Sequence, residues 1–432
     1  LICELLIYVK LILNSYLMKK VFVSLALLVG VSGSLFAQKK GFDYKFYGQV
    51  RTDLFYNTRS NSETVDGLFY MYPLDEVKDP NGHDLNGVGN GNFYTLYTRL
   101  GVDVAGPMLG KAKTSAKVEV DFRGSGTTYS LFRIRHVYFN LDWGKSALLV
   151  GQTWHPLYSD VAPEILNLNM GAPYQPFSRA PQIRYRFTSR NFMLTAAAVW
   201  QSQYLSVGPK TNLPGETGTQ KSQEFIKKSC VPEFYLGMDY KRPGLIAGAG
   251  VHVSSITPRT QSEMTDATYF VNERVTGVSG EAHVKYTHND WLVSGKTVLG
   301  TNLTQTSTVG GYGIVSIDEN TGKQQYAPLR VSSTWVNVAY GKKWRPALFF
   351  GYLKNLGASK EVAYGTLGTG TKLDQLFTGT AELTYNIPHW KFGAEYSLCN
   401  AWYGDDFNAK AKAISSHSVM NHRFVFTAIF QF

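Results

Sequence analysis

Between Gln38 and Phe432 the chain repeats one pattern, segments of about ten to fourteen residues in which apolar and polar side chains alternate, the period of a half-buried β-strand. Residues 112–123, AKTSAKVEVDFR, are the clearest case. Ala112, Thr114, Ala116, Val118, Val120 and Phe122 share one face, and Lys113, Ser115, Lys117, Glu119, Asp121 and Arg123 share the other. Sixteen such segments can be read: 44–56, 92–105, 112–123, 131–143, 146–156, 181–188, 191–202, 230–241, 244–256, 275–287, 290–302, 328–340, 344–356, 373–386, 390–402 and 419–432. Connections are long after the odd members (57–91, 157–180, 203–229, 257–274, 303–327, 357–372 and 403–418) and short after the even ones, such as 188–191, 241–244, 287–290 and 340–344. Only 124–130 is a short member of the long set. An even number of meandering strands, with tight turns at one end and long loops at the other, predicts an all-β fold: a transmembrane antiparallel β-barrel of sixteen strands. A soluble sandwich of that size needs Greek-key crossovers and shows no such rule.

Composition removes the rivals. Charged residues are 17% of the chain, too few for charge-driven disorder, and 3 cysteines in 432 residues exclude a disulfide scaffold. Past the N-terminal region no stretch approaches the roughly 18 apolar residues of a membrane helix. The net charge is +11, yet the basic residues come in ones and twos with no run of five, so the footprint of a nucleic-acid binder is missing.

The N-terminus reads as an export signal at 18–37. Lys19 and Lys20 form the positive region, Val21 to Val31 the apolar one, and Ser34-Leu35-Phe36-Ala37 a small-residue ending suited to cleavage before Gln38. Residues 1–17 read as an upstream start-site extension, and 38–432 as the barrel. The alternative, an anchor running from Leu1 to Ala37, is interrupted near its middle by the two lysines. Such a signal on a β-barrel places the chain in the outer membrane of a Gram-negative bacterium. Phe424, Phe426, Ala428, Phe430 and Phe432 alternate up to the last residue, the form of signal expected by the outer-membrane assembly machinery.

Charge sorting fixes the faces, because a charge on the lipid face costs about 2–4 kcal/mol near the midplane. Phe46, Val50, Leu54 and Tyr56 oppose Gln49, Arg51 and Asp53; Leu96, Leu100, Val102 and Val104 oppose Arg99 and Asp103. Sixteen strands enclose an aqueous channel. Inward positions carry Arg51, Arg99, Arg123, Arg184 and Arg186, with Arg133 and Arg135 on a strand whose two faces are both mixed. Rings of arginine bias a pore toward anions, whereas Asp53, Asp103, Glu119 and Asp121 lie close enough in sequence simply to pair with them. The mixed polarity of 131–143 suits a seam between subunits. The loop 157–180 carries apolar Ile165, Leu166, Leu168 and Met170 beside Asp160, Glu164 and Arg179. It is expected either to fold inward and constrict the pore, with Asp160 and Glu164 facing Arg133, Arg135, Arg184 and Arg186, or to pack on a neighbouring subunit.

The run from Phe132 to Asp160 contains Arg133-Ile134-Arg135-His136-Val137-Tyr138 and then Gly151-Gln152-Thr153-Trp154. In this it resembles the DcaP-like trimeric porins, whose fourth and fifth strands carry R-x-R-H-A-Y and G-Q-T-W. Val137 departs from the usual alanine, and the short span from Gln38 to Asp43 leaves no room for the periplasmic helical extension of some members. The resemblance implies a homotrimer of sixteen-stranded pores for small anionic solutes such as dicarboxylates, with Arg133 and Arg135 lining the pore.

Other functions find little support in the residues. No G-x-S-x-G and no H-E-x-x-H occurs, and a pair such as His155 with Ser159 reads as a loop contact, so no enzyme is expected. His417 and His422 are wrongly spaced for a strand face, and neither a metal nor a cofactor is expected. Cys230 and Cys399 fall on strands that are not neighbours and read as free thiols. The rival to a pore is a surface binding protein, an adhesin or an accessory subunit of an uptake complex, acting through the loops 57–91, 203–229 and 303–327.

Overall fold

A computed structural model describes residues 41–64, 67–123 and 131–432, so the segments read as start-site extension and export signal lie outside the described residues. Sixteen strands form the wall: β1 (Asp43–Asn57), β2 (Arg99–Leu109), β3 (Ala112–Arg123), β4 (Leu131–Asp142), β5 (Ser146–Trp154), β6 (Arg179–Ser189), β7 (Phe192–Val199) and β8 (Glu233–Arg242) make the first half. The second half is β9 (Leu245–Ile256), β10 (Val275–His288), β11 (Trp291–Thr301), β12 (Gln324–Tyr340), β13 (Trp344–Ala358), β14 (Leu373–Ile387), β15 (Trp390–Phe407) and β16 (Ala413–Gln431). Each pairs antiparallel with its sequence neighbours, and β1 closes on β16, with Gln49 opposite Gln431 and Asn57 opposite Arg423. Closure removes every free edge, which is what a sheet in lipid requires. At the seam Gly48 and Phe432 exchange backbone hydrogen bonds of 2.9 and 3.1 Å, and the Phe432 ring lies over Gly48, where a side chain would collide with it.

The faces follow the charge sorting. Phe46, Val50, Leu54 and Tyr56 are exposed on the outside while Arg51 and Asp53 are buried within. Trp143, Trp291, Trp344 and Trp390 project outward beside the short turns, where amphipathic rings favour the bilayer interface.

Three local departures from simple alternation matter. The segment 92–105 is broken: Asn90–Tyr94 pairs with β1, Thr95–Thr98 form a turn, and β2 resumes at Arg99. Leu96 therefore faces the interior, not lipid, at 3% exposure. The expected loop 403–418 is a continuation of the β15–β16 hairpin as far as Phe407 and Ala413, with register shifts at Gly404–Asp406 and Asp406–Phe407 that hide the period. In β4 a bulge sets both Arg135 and His136 against Glu119, so that both point inward and the parity flips between them. Phe132 and Ile134 before the bulge, and Val137 and Phe139 after it, are all exposed outside. The mixed polarity of β4 is thus a bulge in an ordinary lipid-facing strand, and it supplies no argument for a subunit seam.

The barrel interior is not empty. Leu68, Phe69, Tyr70, Met71 and Tyr72, from the loop after β1, are all buried, and they pack with Tyr158, Val161, Leu168, Tyr174 and Phe177 against wall residues Trp335, Phe349, Leu353 and Leu376. Cys399 is buried on β15 and Cys230 is exposed at the end of the helix Glu224–Ser229, both as free thiols. Because Cys230 belongs to the long-loop end, a membrane-impermeant maleimide added to intact cells is expected to label it. Cys399 is expected to react only after unfolding, and labelling restricted to broken cells would invert the orientation.

Candidate functional site

The wall from β1 to β4 carries a ladder of paired charges. On β1, Arg51 holds Asp53 through Nε and Nη2 at 2.9 and 2.8 Å, and Nη2 also donates to the Leu166 carbonyl at 2.6 Å. On β2, Arg99 lies 3.4 Å from Glu119 of β3. Arg133 grips Asp121 with two bonds of 2.7 Å, and Arg135 donates to Glu119 at 2.6 Å and to Asp121 at 2.8 Å. Of the acids expected to pair with arginines, Asp53, Glu119 and Asp121 do so, whereas Asp103 pairs with Lys117 at 2.9 Å. A fork that meets a carboxylate in two parallel bonds is held rigidly, so the guanidinium planes have fixed positions along the wall.

The bulge explains the sequence motif that follows it. The carbonyls of Ile134 and Arg135 receive Gln152 Nε2 at 3.1 and 3.4 Å, Thr153 Oγ1 lies 2.9 Å from His136 Nδ1, and Trp154 lies edge-on to the His136 ring. Gly151 takes φ +132°, and a Cβ there would collide with the Val137 carbonyl, so only glycine lets β5 approach the bulged strand. R-x-R-H and G-Q-T-W are two halves of one device that turns two consecutive side chains into the lumen. Gln152→Leu, which removes this donor from the Arg135 carbonyl and leaves the Ile134 carbonyl with Gln203 Nε2 at 3.4 Å, is expected to cost about 1–3 kcal/mol in urea unfolding of the detergent-solubilised barrel. An unchanged midpoint would mean that the bulge holds itself.

The remaining sequence-derived residues fall into place differently. Arg179 opens β6 and is 1% exposed; it donates to Gln203 at 2.9 Å, lies over the rings of Trp154 and Phe177 at 4.7 and 5.4 Å, and leaves Nη1 without a partner. Arg184 is buried and is held by Gln182 and the Trp154 carbonyl. Arg123, last in β3, forms no ion pair among the described residues. Of the pairs expected for the loop acids, the structure places Asp160 beside Arg186 at 3.5 Å and beside Lys241. Glu164 faces neither Arg133, Arg135, Arg184 nor Arg186, because the loop carries it across the lumen to Arg345 at 2.8 Å and Lys285 at 3.7 Å. Arg133 and Arg135 are already taken by Asp121 and Glu119.

That loop, between β5 and β6, runs through the interior and is tied to the far wall. Leu166 N donates to Glu382 and Glu395 at 2.7 Å each, Gln175 accepts from Trp335 Nε1 at 2.9 Å, Tyr174 OH meets Thr378 at 2.7 Å, and Lys296 donates to the carbonyls of Leu157 and Tyr158 at 2.8 Å.

One buried cluster escaped the sequence reading. His155, at the loop's start, and His252, on β9, both lie on Glu233 Oε2, at 3.1 and 2.8 Å, and Gln201 donates to Oε1 at 2.7 Å. These are metal-ligand types, brought together from the start of the β5–β6 loop, β8 and β9. The Leu157 N–H donates to His155 Nδ1 at 3.2 Å, which places the imidazole proton on Nε2, toward Glu233. A ligating imidazole must offer a lone pair at that atom, so the geometry is that of a hydrogen-bonded clamp on the loop. Ser159, expected beside His155, accepts instead from Lys296 at 3.1 Å.

A closed sixteen-stranded barrel with outward-facing aromatics and a charged interior crossed by a loop defines a β-barrel of the Gram-negative outer membrane. Residues 34–197, which reach into β7 and include the bulged strand and its partner, match the family described as DcaP outer membrane protein. The fold is similar to the crystal structure of the outer membrane channel DcaP of Acinetobacter baumannii, at a TM-score of 0.64 and 18% identity over 92% of this chain and 99% of that one. It is also similar to in-vitro folded OmpT of Vibrio cholerae in its trimer form (TM-score 0.52, 13% identity, 91% and 100% covered). A third likeness is to an anion-selective porin from Comamonas acidovorans (TM-score 0.52, 11% identity, 90% and 100% covered). No curated protein matches the chain.

Proposed function

We propose that the barrel is a passive channel for small hydrophilic solutes that favours anions, carboxylates among them, and works as a homotrimer. The observation that carries this reading is the charge balance of the ladder on β1 to β4 together with Arg179. Arg51, Arg99, Arg133, Arg135 and Arg179 stand against Asp53, Glu119 and Asp121, and the surplus cations are fixed in place before any solute arrives. An oxyanion that sheds water in the narrowed lumen meets oriented N–H donors there, which offset its desolvation, while a cation of equal size meets repulsion. The loop between β5 and β6 acts as the constriction that forces solutes against this wall. Trimeric and anion-selective members among proteins of this fold support the same reading.

The test is single-channel conductance of the refolded mature protein in a planar bilayer under a salt gradient. Stable steps with a reversal potential on the anion side are expected. Well-folded protein without conductance would overturn the channel and leave the alternative, a surface binding protein acting through its long loops, which the packed interior formed by Leu68 to Tyr72 would then serve as a rigid plug.

A further inference from the structure

Where the long loops after β1, β7 and β11 meet above the arginine wall they enclose a cavity of about 420 Å³. Arg123 and Lys221 line it, together with Gln203, Tyr204, Phe69 and Thr308. Most inward cations lower in the barrel are matched by a carboxylate, as Lys117 is by Asp103 and Arg186 by Asp160. Arg123 and Lys221 are in no ion pair among the described residues, and one carboxylate, Glu63, belongs to the same lining and has interactions of its own. Lys221 stays accessible to water, yet loop walls crowd it; that crowding first, and the Arg123 charge second, pull its ammonium below the usual lysine range. Directly behind Gln203 and Tyr204 sits Arg179, fully buried, with one guanidinium nitrogen unpartnered.

We infer that this cavity is an outward-facing capture site for small organic acids, with Arg123 and Lys221 taking the carboxylate and Phe69 and Tyr204 the apolar body. The inference rests on the anion-channel reading and adds to it a place where the solute waits before the constriction. Among the described lining residues Glu63 is the one carboxylate beside Arg123 and Lys221, so the cavity keeps a net positive charge that an incoming carboxylate offsets as well as forming its own bonds. A body of ring size fits the volume and covers the aromatic wall, and the neighbouring hydroxyl and amide groups satisfy the second carboxylate oxygen. From the cavity the next cation inward is Arg179, and beyond it Arg133, whose guanidinium faces Tyr97. The site and the ladder thus form a single descending series of positive charges.

Benzoate is the probe, with acetate as the carboxylate lacking the body and benzyl alcohol as the body lacking the charge. Isothermal titration of the detergent-solubilised full barrel is expected to show saturable benzoate binding that acetate and benzyl alcohol do not match. In Lys221→Gln with Arg123→Gln, both accessible enough for the barrel to fold, affinity is expected to fall at least about tenfold. In planar bilayers benzoate added on the loop side is expected to interrupt the current, and benzoate on the turn side to do so far less often. Equal interruption from both sides, or titration unchanged in the double variant, would overturn the capture site while leaving the channel intact. Titration as expected from a barrel that carries no current would instead overturn the channel reading and keep the site.

Discussion

Glutamine at both Arg133 and Arg135 is expected to collapse the reversal potential from the anion side to near zero or beyond it. The two arginines supply the cationic surplus of the cluster Arg51, Arg99, Arg133, Arg135 and Arg179 against Asp53, Glu119 and Asp121: with them five guanidinium groups face three carboxylates, and without them three face three. Each is also the main partner of a buried acid, Asp121 being 1% exposed and Glu119 5%. Breaking a buried pair by removing one partner costs about 3–5 kcal/mol, so the double variant carries a folding penalty that a change in selectivity must be separated from. A quadruple variant adding Glu119→Gln and Asp121→Asn does this. It removes the orphaned acids, restores the surplus of Arg51, Arg99 and Arg179 over Asp53, and is expected to recover anion preference with a conductance close to the parent. Reversal potentials that stay the same across parent, double and quadruple variants would mean that the permeating ion never meets this wall.

Why was so much of this readable from the chain? Lipid enforces the sorting of charges strand by strand, so the face of β1 or β14 is written in its own residues. Closure and meander order follow from the alternation of long and short connections. The pairing of Arg133 with Asp121 and of Arg135 with Glu119 was within reach because β3 and β4 are adjacent. What failed did so where the period of two is broken. The bulge at Arg135 and His136 shifts parity within a single strand, and no propensity marks it; its trace lies on the next strand, in Gly151 and Gln152. The turn at Thr95–Thr98 sends Leu96 inward although its own alternation points it to lipid. The end of the β15–β16 hairpin reads as loop because Ser415 to Ser418 are polar and two register shifts scramble the faces.

Contacts made by the interior loop were illegible for a different reason. Glu164 travels to Arg345, and Leu166 to Glu382 and Glu395, partners set by where a loop of this length lands across a barrel and not by any neighbouring residue. The clamp of His155, Glu233 and His252 joins three elements in the same way. Such loop-to-wall bonds are where this sequence departs most from a generic barrel, and they bear directly on how wide the channel is.

Excising Ala162–Ala172 and rejoining the loop with two glycines is expected to raise single-channel conductance several-fold and to weaken selectivity at the same time. The segment holds Leu166, whose peptide is gripped from both sides, the N–H by Glu382 and Glu395 and the carbonyl by Arg51 at 2.6 Å. It also holds Leu168, which packs with Tyr70 and Phe349 in the interior cluster. Removing it leaves the wall hydrogen bonds of β5 and β6 untouched, since the loop ends are joined separately by His155 N to Ser178 O at 2.9 Å, so the barrel is expected to fold. The lumen gains the volume of those side chains and the water they exclude. Ions then pass farther from the guanidinium wall, where water screens its charge within about 8–10 Å at moderate salt. A rise in conductance with selectivity preserved would place the discriminating charges outside the constriction, at the cavity of Arg123 and Lys221. No rise at all would show that this loop is packing and that the narrowest point is set by Leu68 to Tyr72.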